Sequence, residues 1–199
     1  MGKIYYIFGK SSSGKDTIYK RLLKKHPEAL KSVVLYTTRP KREGEKEGIT
    51  YNYLTEEEYG KLKDQGLIIE ERSYNTIHGL WRYLTVKDDQ INLDDNDYLI
   101  TGVLESYVST RDYFGKDRVM PIYIEVEDGE RLTRALNREK KPGNRKYAEM
   151  CRRFLTDTED FSEDKLKAAG IEKRFVNDDL ERCLKEIEEY IGSFGNDHD

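Results

Sequence analysis

An α/β fold, in which a parallel sheet is covered on both faces by helices, is what this sequence predicts, on three observations. Short apolar runs alternate with amphipathic helical stretches over most of the 199 residues. A glycine-rich stretch separates the first apolar run from the first helix, the place where such sheets bind ligands. From about residue 50 to 85 the texture changes to short pieces, which reads as a small mixed or mostly antiparallel sheet inserted between larger units.

The elements follow in order. KIYYIF (residues 3–8) is a buried strand. DTIYKRLLKKH places Ile18, Leu22 and Leu23 on one helical stripe, which Pro27 closes. SVVLYTT (32–38) reads as the second strand, and RPKREGEKEG (39–48) as an exposed charged loop. In the inserted unit come TYNYL, a helix at TEEEYGKLKDQ with a capping-box start at Thr55 and Glu58, and the strands GLIIEERSY and IHGLWRYLT. Alternation then resumes with strand DYLITGV, helix LESYVSTRDYF, strand VMPIYIEV and helix DGERLTRALNRE. A Pro/Gly-rich break, KKPGNRK, precedes one long amphipathic helix from about 145 to 167. KRFVNDD is the last strand, LERCLKEIEEYI the closing helix and GNDHD a solvated tail.

Composition excludes several classes. With 35 basic against 39 acidic side chains the balance is mildly acidic, which argues against a general binder of nucleic acids or membrane surfaces. No apolar run reaches the length of a membrane span, and the first strand leaves no room for a signal peptide. Cys151 and Cys183 share no metal spacing and read as free thiols in a reducing, cytoplasmic setting.

Residues 9–17, GKSSSGKDT, carry the chemistry. Gly9 and Gly14 permit the dihedrals and close approach that turn backbone amides toward a phosphate, and the helix that follows adds its N-terminus. Lys15 contributes a point charge on the phosphates, with Lys10, Ser11, Ser12, Ser13 and Thr17 completing the loop. This is G-x-x-x-x-G-K of the P-loop type, except that Asp16 stands where a hydroxyl normally touches Mg²⁺. Mg²⁺ accepts carboxylates, so Asp16 reads as a metal ligand or as a charge that complements the helix dipole.

YTTRPKREGEKEGITYNYL (36–54) resembles the signature of the guanylate kinase family, T-T-R-x-x-R-x-G-E-x-x-G-x-x-Y. Further segments resemble that family in order: GLIIEERSY its strand with a base-reading glutamate, IHGLW its Tyr-Tyr-Gly turn, and FVNDDLERCLKEI its last strand and helix. The resemblance implies a P-loop NTPase-type core (about 1–36, 86–126 and 168–192), a nucleoside-monophosphate-binding part (about 37–85), a helical lid (about 127–167) and a tail (193–199). It implies transfer of a phosphoryl group from ATP, with Mg²⁺, to GMP, by a monomer or homodimer. Arg39, Arg42, Tyr51 and His78 match the residues that hold the acceptor's phosphate, and Glu70 (or Glu71 in the other register) the one that reads guanine. Arg138 and Arg153, with Arg134 and Arg152 as further candidates, match lid arginines, and Asn177 an asparagine near the adenine, or else a helix cap.

Some positions depart from the family's pattern. Leu35, Leu80 and Val103 stand where the family has two hydroxyls and an aspartate around the base, and Thr101 where it has an aspartate for Mg²⁺. Two alternatives follow: a kinase of the same fold acting on another nucleoside or deoxynucleoside monophosphate, or a catalytically silent binding domain.

Overall fold

All five residues of strand β1 (Ile4–Phe8) are buried. Side chains alternate across a strand, so β1 needs apolar cover on both faces. Ile4, Tyr6 and Phe8 join one core, and Tyr5 and Ile7 a second. In the computed structural model, which describes residues 1–76, 79–141 and 145–195, β1 is the middle strand of a five-stranded sheet. β2 (Leu30–Ser32), β7 (Asp97–Gly102), β8 (Val119–Glu125) and β9 (Arg174–Val176) complete it in the order β2-β7-β1-β8-β9, and every pairing is parallel. Helices α1 (Lys15–Lys25) and α7 (Leu180–Gly195) cover one face through Ile18, Leu22, Leu184 and Ile187. α3 (Leu104–Phe114) and α6 (Glu163–Ala168) cover the other through Tyr107 and Leu166.

A second sheet of four strands holds the inserted segment, in the order β4-β3-β6-β5. Its strands are β3 (Tyr36–Thr37), β4 (Asn52–Tyr53), β5 (Ile68–Thr76) and β6 (Gly79–Val86). β3 and β4 run parallel and the other pairs antiparallel, so the sheet is mixed. α2 (Glu56–Asp64) starts at Thr55, whose hydroxyl accepts from Glu58 N while the Glu58 carboxylate accepts from Thr55 N. This reciprocal cap is worth about 1 kcal/mol. α4 (Asp128–Glu139) and α5 (Tyr147–Asp160) lie between β8 and α6 in the chain.

Three details differ from the sequence-based expectation. SVVLYTT is not one strand: β2 ends at Ser32 in the parallel sheet and β3 begins at Tyr36 in the other. Between them the Gln90 side chain accepts from Val34 N and donates to Val34 O, satisfying backbone that a continuous strand would have paired. The long helix of residues 145–167 is two, because Phe161 leaves helical geometry to bury itself against Tyr123, ring centroids 5.9 Å apart. α7 continues past Gly192 into the stretch read as a tail, as far as Gly195.

Candidate active site

The phosphate loop leaves the carboxyl end of β1. Gly14 has φ +88°, a region that L side chains avoid, and a Cβ there would meet Asn177 Nδ2 at 2.4 Å. At Gly9 a Cβ would meet the Ile124 carbonyl at 2.5 Å, so both glycines are required by geometry. Asn177, itself buried, braces the loop: its Nδ2 donates to Ser13 O at 2.7 Å and its own N–H donates to Glu125 O. The cap reading of Asn177 is therefore corrected, since Asp179 is the residue that accepts from Arg182 N at the start of α7.

Inside the loop the polar atoms are set for an anion. Ser11 N donates to the Asp157 carboxylate at 2.8 Å, so an oxyanion already sits on one loop amide. The hydroxyls of Ser12 and Ser13 are buried without a hydrogen-bond partner among the described residues. Lys15 Nζ lies 3.7 Å from the Asp16 carboxylate, which is largely exposed in the first turn of α1. Lys10 Nζ is instead 3.2 Å from Asp128. Thr17 is exposed, and its amide caps back to Gly14 O.

Arginines approach the loop from α4 and α5. A small hollow is lined by Ser11 and Ser12 of the loop together with Arg131, Arg138 and Arg153. The other two candidates lie elsewhere: Arg134 donates to Glu130 and Asn177 O, and Arg152 to Glu149, none of them among the residues of the hollow. Arg153 also donates to Glu149, whose carboxyl the two arginines hold down to about 2. Arg131, which sequence reasoning passed over, is the most buried of the set at 1 % exposure. It binds Asp128 through Nε and Nη2, and Ser11 O and Asp157 through Nη1, so it ties loop, α4 and α5 together. The stripe Arg131, Ala135, Glu139 at helical spacing is the buried face of α4 and was readable, but it looked polar and hence exposed.

The second sheet carries the other anion-seeking centre. Arg39 is buried, against the expectation of an exposed loop over residues 39–48. Its Nη1 and Nη2 donate to the two oxygens of Glu45 at 2.8 and 2.7 Å, the fork geometry that also suits a phosphate. Its Cζ lies 5.2 Å from the Tyr51 ring centroid and 5.8 Å from that of Tyr53. Tyr51 also meets Tyr83 edge-on at 5.7 Å. Arg42 is exposed and lies 6.0 Å from the Trp81 ring, while its amide donates to Glu45. His78 lies outside the described residues.

Glu45 titrates far from the ordinary range. The Arg39 fork, helped by Arg42 N and Tyr53, pulls its carboxyl from 4.5 to about 2 against the cost of burial. A carboxyl depressed by folding adds stability that is fully present above about 4.5 and lost as pH falls toward about 2. The difference in urea midpoint between the wild-type chain and Glu45→Gln is therefore expected to shrink over that window. A difference independent of pH would show that the pair contributes no linked stability.

The register of β5 sets the two glutamates on opposite faces. Glu70 is 3 % exposed and accepts from Arg72 Nε at 2.5 Å and from Thr85 Oγ1 at 3.3 Å. Glu71 points to the opposite face, where Tyr59, Ser73 and Arg82 donate to it. Burial pushes the Glu70 carboxyl up, with Arg72 and Thr85 pulling the other way. Leu35 and Val103 pack against the core beneath α3, and Leu80 is 38 % exposed. On β7 Thr101 pairs with Ile7, and its hydroxyl is buried without a partner among the described residues.

Anion-seeking backbone at the head of a parallel sheet, and a second arginine fork among tyrosines in a smaller mixed sheet, give the chain the architecture of the P-loop nucleoside monophosphate kinases. The match to the protein-family model described as guanylate kinase spans residues 1–83. A guanylate kinase of Schizosaccharomyces pombe is 29 % identical over 187 residues, which cover 92 % of this chain and 86 % of the relative. One from Nostoc sp. is 27 % identical over 194 residues, covering 98 % and 90 %. Among solved structures, guanylate kinase from Anaplasma phagocytophilum superposes with a TM-score of 0.67 at 22 % identity, over 96 % of this chain and 85 % of that one, a likeness of fold. The chain is thus similar to guanylate kinases along nearly its whole length.

Proposed function

We propose that this chain transfers the γ-phosphoryl group of ATP to GMP, giving ADP and GDP. The observation that carries the reading is the hollow where Ser11 and Ser12 of the phosphate loop meet Arg138 and Arg153 of the helical segment. Phosphoryl transfer needs little more than positioning and charge neutralisation, and arginines gathered at the phosphate loop would supply the second. Residues 9–17 would hold the ATP phosphates, with Lys15 on the transferring group. Asn177 would act through the loop it braces rather than on the adenine directly. Arg39, Arg42 and Tyr51 would hold the acceptor's phosphate, displacing Glu45 from the Arg39 fork, and buried Glu70 would read the base. The part of the chain built on the second sheet would then be the acceptor-binding unit, and α4 to α6 the lid.

Mg²⁺ bound with the nucleotide would supply neutralisation of charge on its phosphates. The residues present fit it: Mg²⁺ in such sites needs only one or two carboxylates beside phosphates and water. Asp16, exposed beside Lys15, supplies one, while Thr101 supplies an unpartnered hydroxyl in place of a carboxylate. Asp16→Ser is expected to lower kcat about tenfold or more and to raise the Mg²⁺ concentration at half-maximal rate. Little change at saturating Mg²⁺ would assign Asp16 to the helix terminus alone.

A second reading keeps the chemistry and changes the acceptor to another nucleoside monophosphate, favoured by the apolar Leu35 and Val103 packed beneath α3. A coupled ADP-release assay with ATP, Mg²⁺ and a panel of GMP, dGMP, IMP, AMP, UMP and CMP separates the two. Preference for GMP is the expected result, and no transfer to any acceptor would overturn the kinase reading. Among the described residues no helix is long and apolar enough to cross a membrane.

A further inference from the structure

We infer that Arg72 is a specificity-determining residue that reads the 6-oxo group of the acceptor's purine, so that the site takes 6-oxopurine nucleoside monophosphates as a class and refuses 6-aminopurines. This rests on the kinase reading above and adds to it a contact at the base. On a strand, residues two apart share a face, which places Arg72 beside Glu70 and away from Glu71. The Arg72 side chain is 9 % exposed. Its Nε donates to Glu70 Oε1, and among the described residues that is the only hydrogen bond its guanidinium makes. A guanidinium has five N–H donors, and the Arg72 terminal amino groups, which make no hydrogen bond among the described residues and are not sealed from solvent, are open to an incoming acceptor.

The pair defines the edge it fits. Each oxygen of the Glu70 carboxylate has accepted one hydrogen bond, from Arg72 or Thr85, and keeps capacity for another. A base edge presenting a carbonyl next to an N–H suits this arrangement, with C6=O on the Arg72 amino groups and N1–H on Glu70. Arginine is well suited to a purine O6, and a good contact of this kind discriminates by 1–3 kcal/mol, roughly tenfold to a hundredfold. Adenine presents the inverse, an amino group toward the guanidinium and a bare N1 toward the carboxylate, which leaves buried polar groups unpaired. Leu35, Leu80 and Val103 offer no side-chain donor or acceptor, so Arg72 supplies the donor to O6 that these positions lack. The 2-amino group of guanine is left to Glu70 alone, which makes hypoxanthine an acceptable base.

Calorimetric titration of GMP, IMP and AMP tests this without depending on transfer. The wild-type chain is expected to bind GMP and IMP within about tenfold of one another, and AMP about a hundredfold more weakly. Arg72→Met should weaken GMP and IMP alike by about tenfold to a hundredfold and leave AMP unchanged or tighter. A GMP-to-AMP ratio unaltered by Arg72→Met would reduce the guanidinium to a counter-ion for Glu70, and IMP bound like AMP would remove the 6-oxopurine class. Should Arg72→Met fail to fold because Glu70 is left charged and buried, Arg72→Met/Glu70→Gln is compared with Glu70→Gln. A further tenfold loss of the ratio supports the inference, and no further loss overturns it. Binding of GMP without transfer would sink the kinase reading while leaving this one standing, so the two failures are distinguishable.

Discussion

Lys15→Ala is expected to lower kcat about 10³-fold while leaving the fold and the affinity for the acceptor nearly unchanged. Lys15 is the first residue of α1, directly after Gly14 of the loop, and its ammonium lies 3.7 Å from the Asp16 carboxylate. Its charge counts most when charge develops on the transferring group, and removal of one such preorganised partner typically costs 10²–10³ in rate. The backbone of the loop does not depend on it, because Gly14 O accepts from Thr17 and Ile18, and Asn177 holds Ser13 O. Single-turnover transfer, thermal melting and GMP titration together check this. A loss below tenfold would show that the arginines carry the charge without the lysine. A melting temperature that falls with the rate would show that the lysine's role is structural.

The largest effect on stability is expected at Arg131. Replacement by methionine keeps most of the volume and removes the charge from between Asp128 and Asp157. Asp128 is about half exposed and can return to water, but the Asp157 side chain is 14 % exposed and among the described residues keeps only Ser11 N as a donor. Breaking one side of a buried pair costs 3–5 kcal/mol, and the exposure of Asp128 places this case near about 3 kcal/mol. For a chain of this length that is a fall of roughly 10 °C in Tm. The loop loses the donor to Ser11 O at the same time, so KM for ATP should rise more than KM for GMP. Arg131→Met/Asp157→Leu should recover part of the stability, since it removes the stranded carboxylate. Equal melting of the wild type and Arg131→Met would show that the network contributes nothing net.

Much of the site could be read locally. A loop of G-x-x-x-x-G-K between an apolar strand and a helix needs nothing distant to define it, and the structure gives Gly9 and Gly14 the tight geometry that spacing implies. The Thr55–Glu58 cap forms between residues three apart. What was not legible involves choice among many similar charges. Four arginines of the helical segment looked alike in sequence, yet Arg138 and Arg153 line the hollow, while Arg134 and Arg152 are not among its residues. A fifth, Arg131, is the one buried. Arg72 lay two places after Glu70 and a period-two reading had the means to find it, but nothing local says which face of that strand is covered.

The sequence by itself determined the alternation of strands and helices, the phosphate loop and the segment that becomes the second sheet. These follow from periodicity, glycine placement and caps, which act over a few residues. Only the tertiary structure decided that residues 32–38 divide between two sheets and that Phe161 breaks a helix to reach Tyr123. It alone showed that Glu70 pairs with Arg72 and that Asn177 holds Ser13. Burial of a charged or aromatic side chain depends on a partner that arrives from elsewhere in the chain, and that partner's position is a property of the assembled fold.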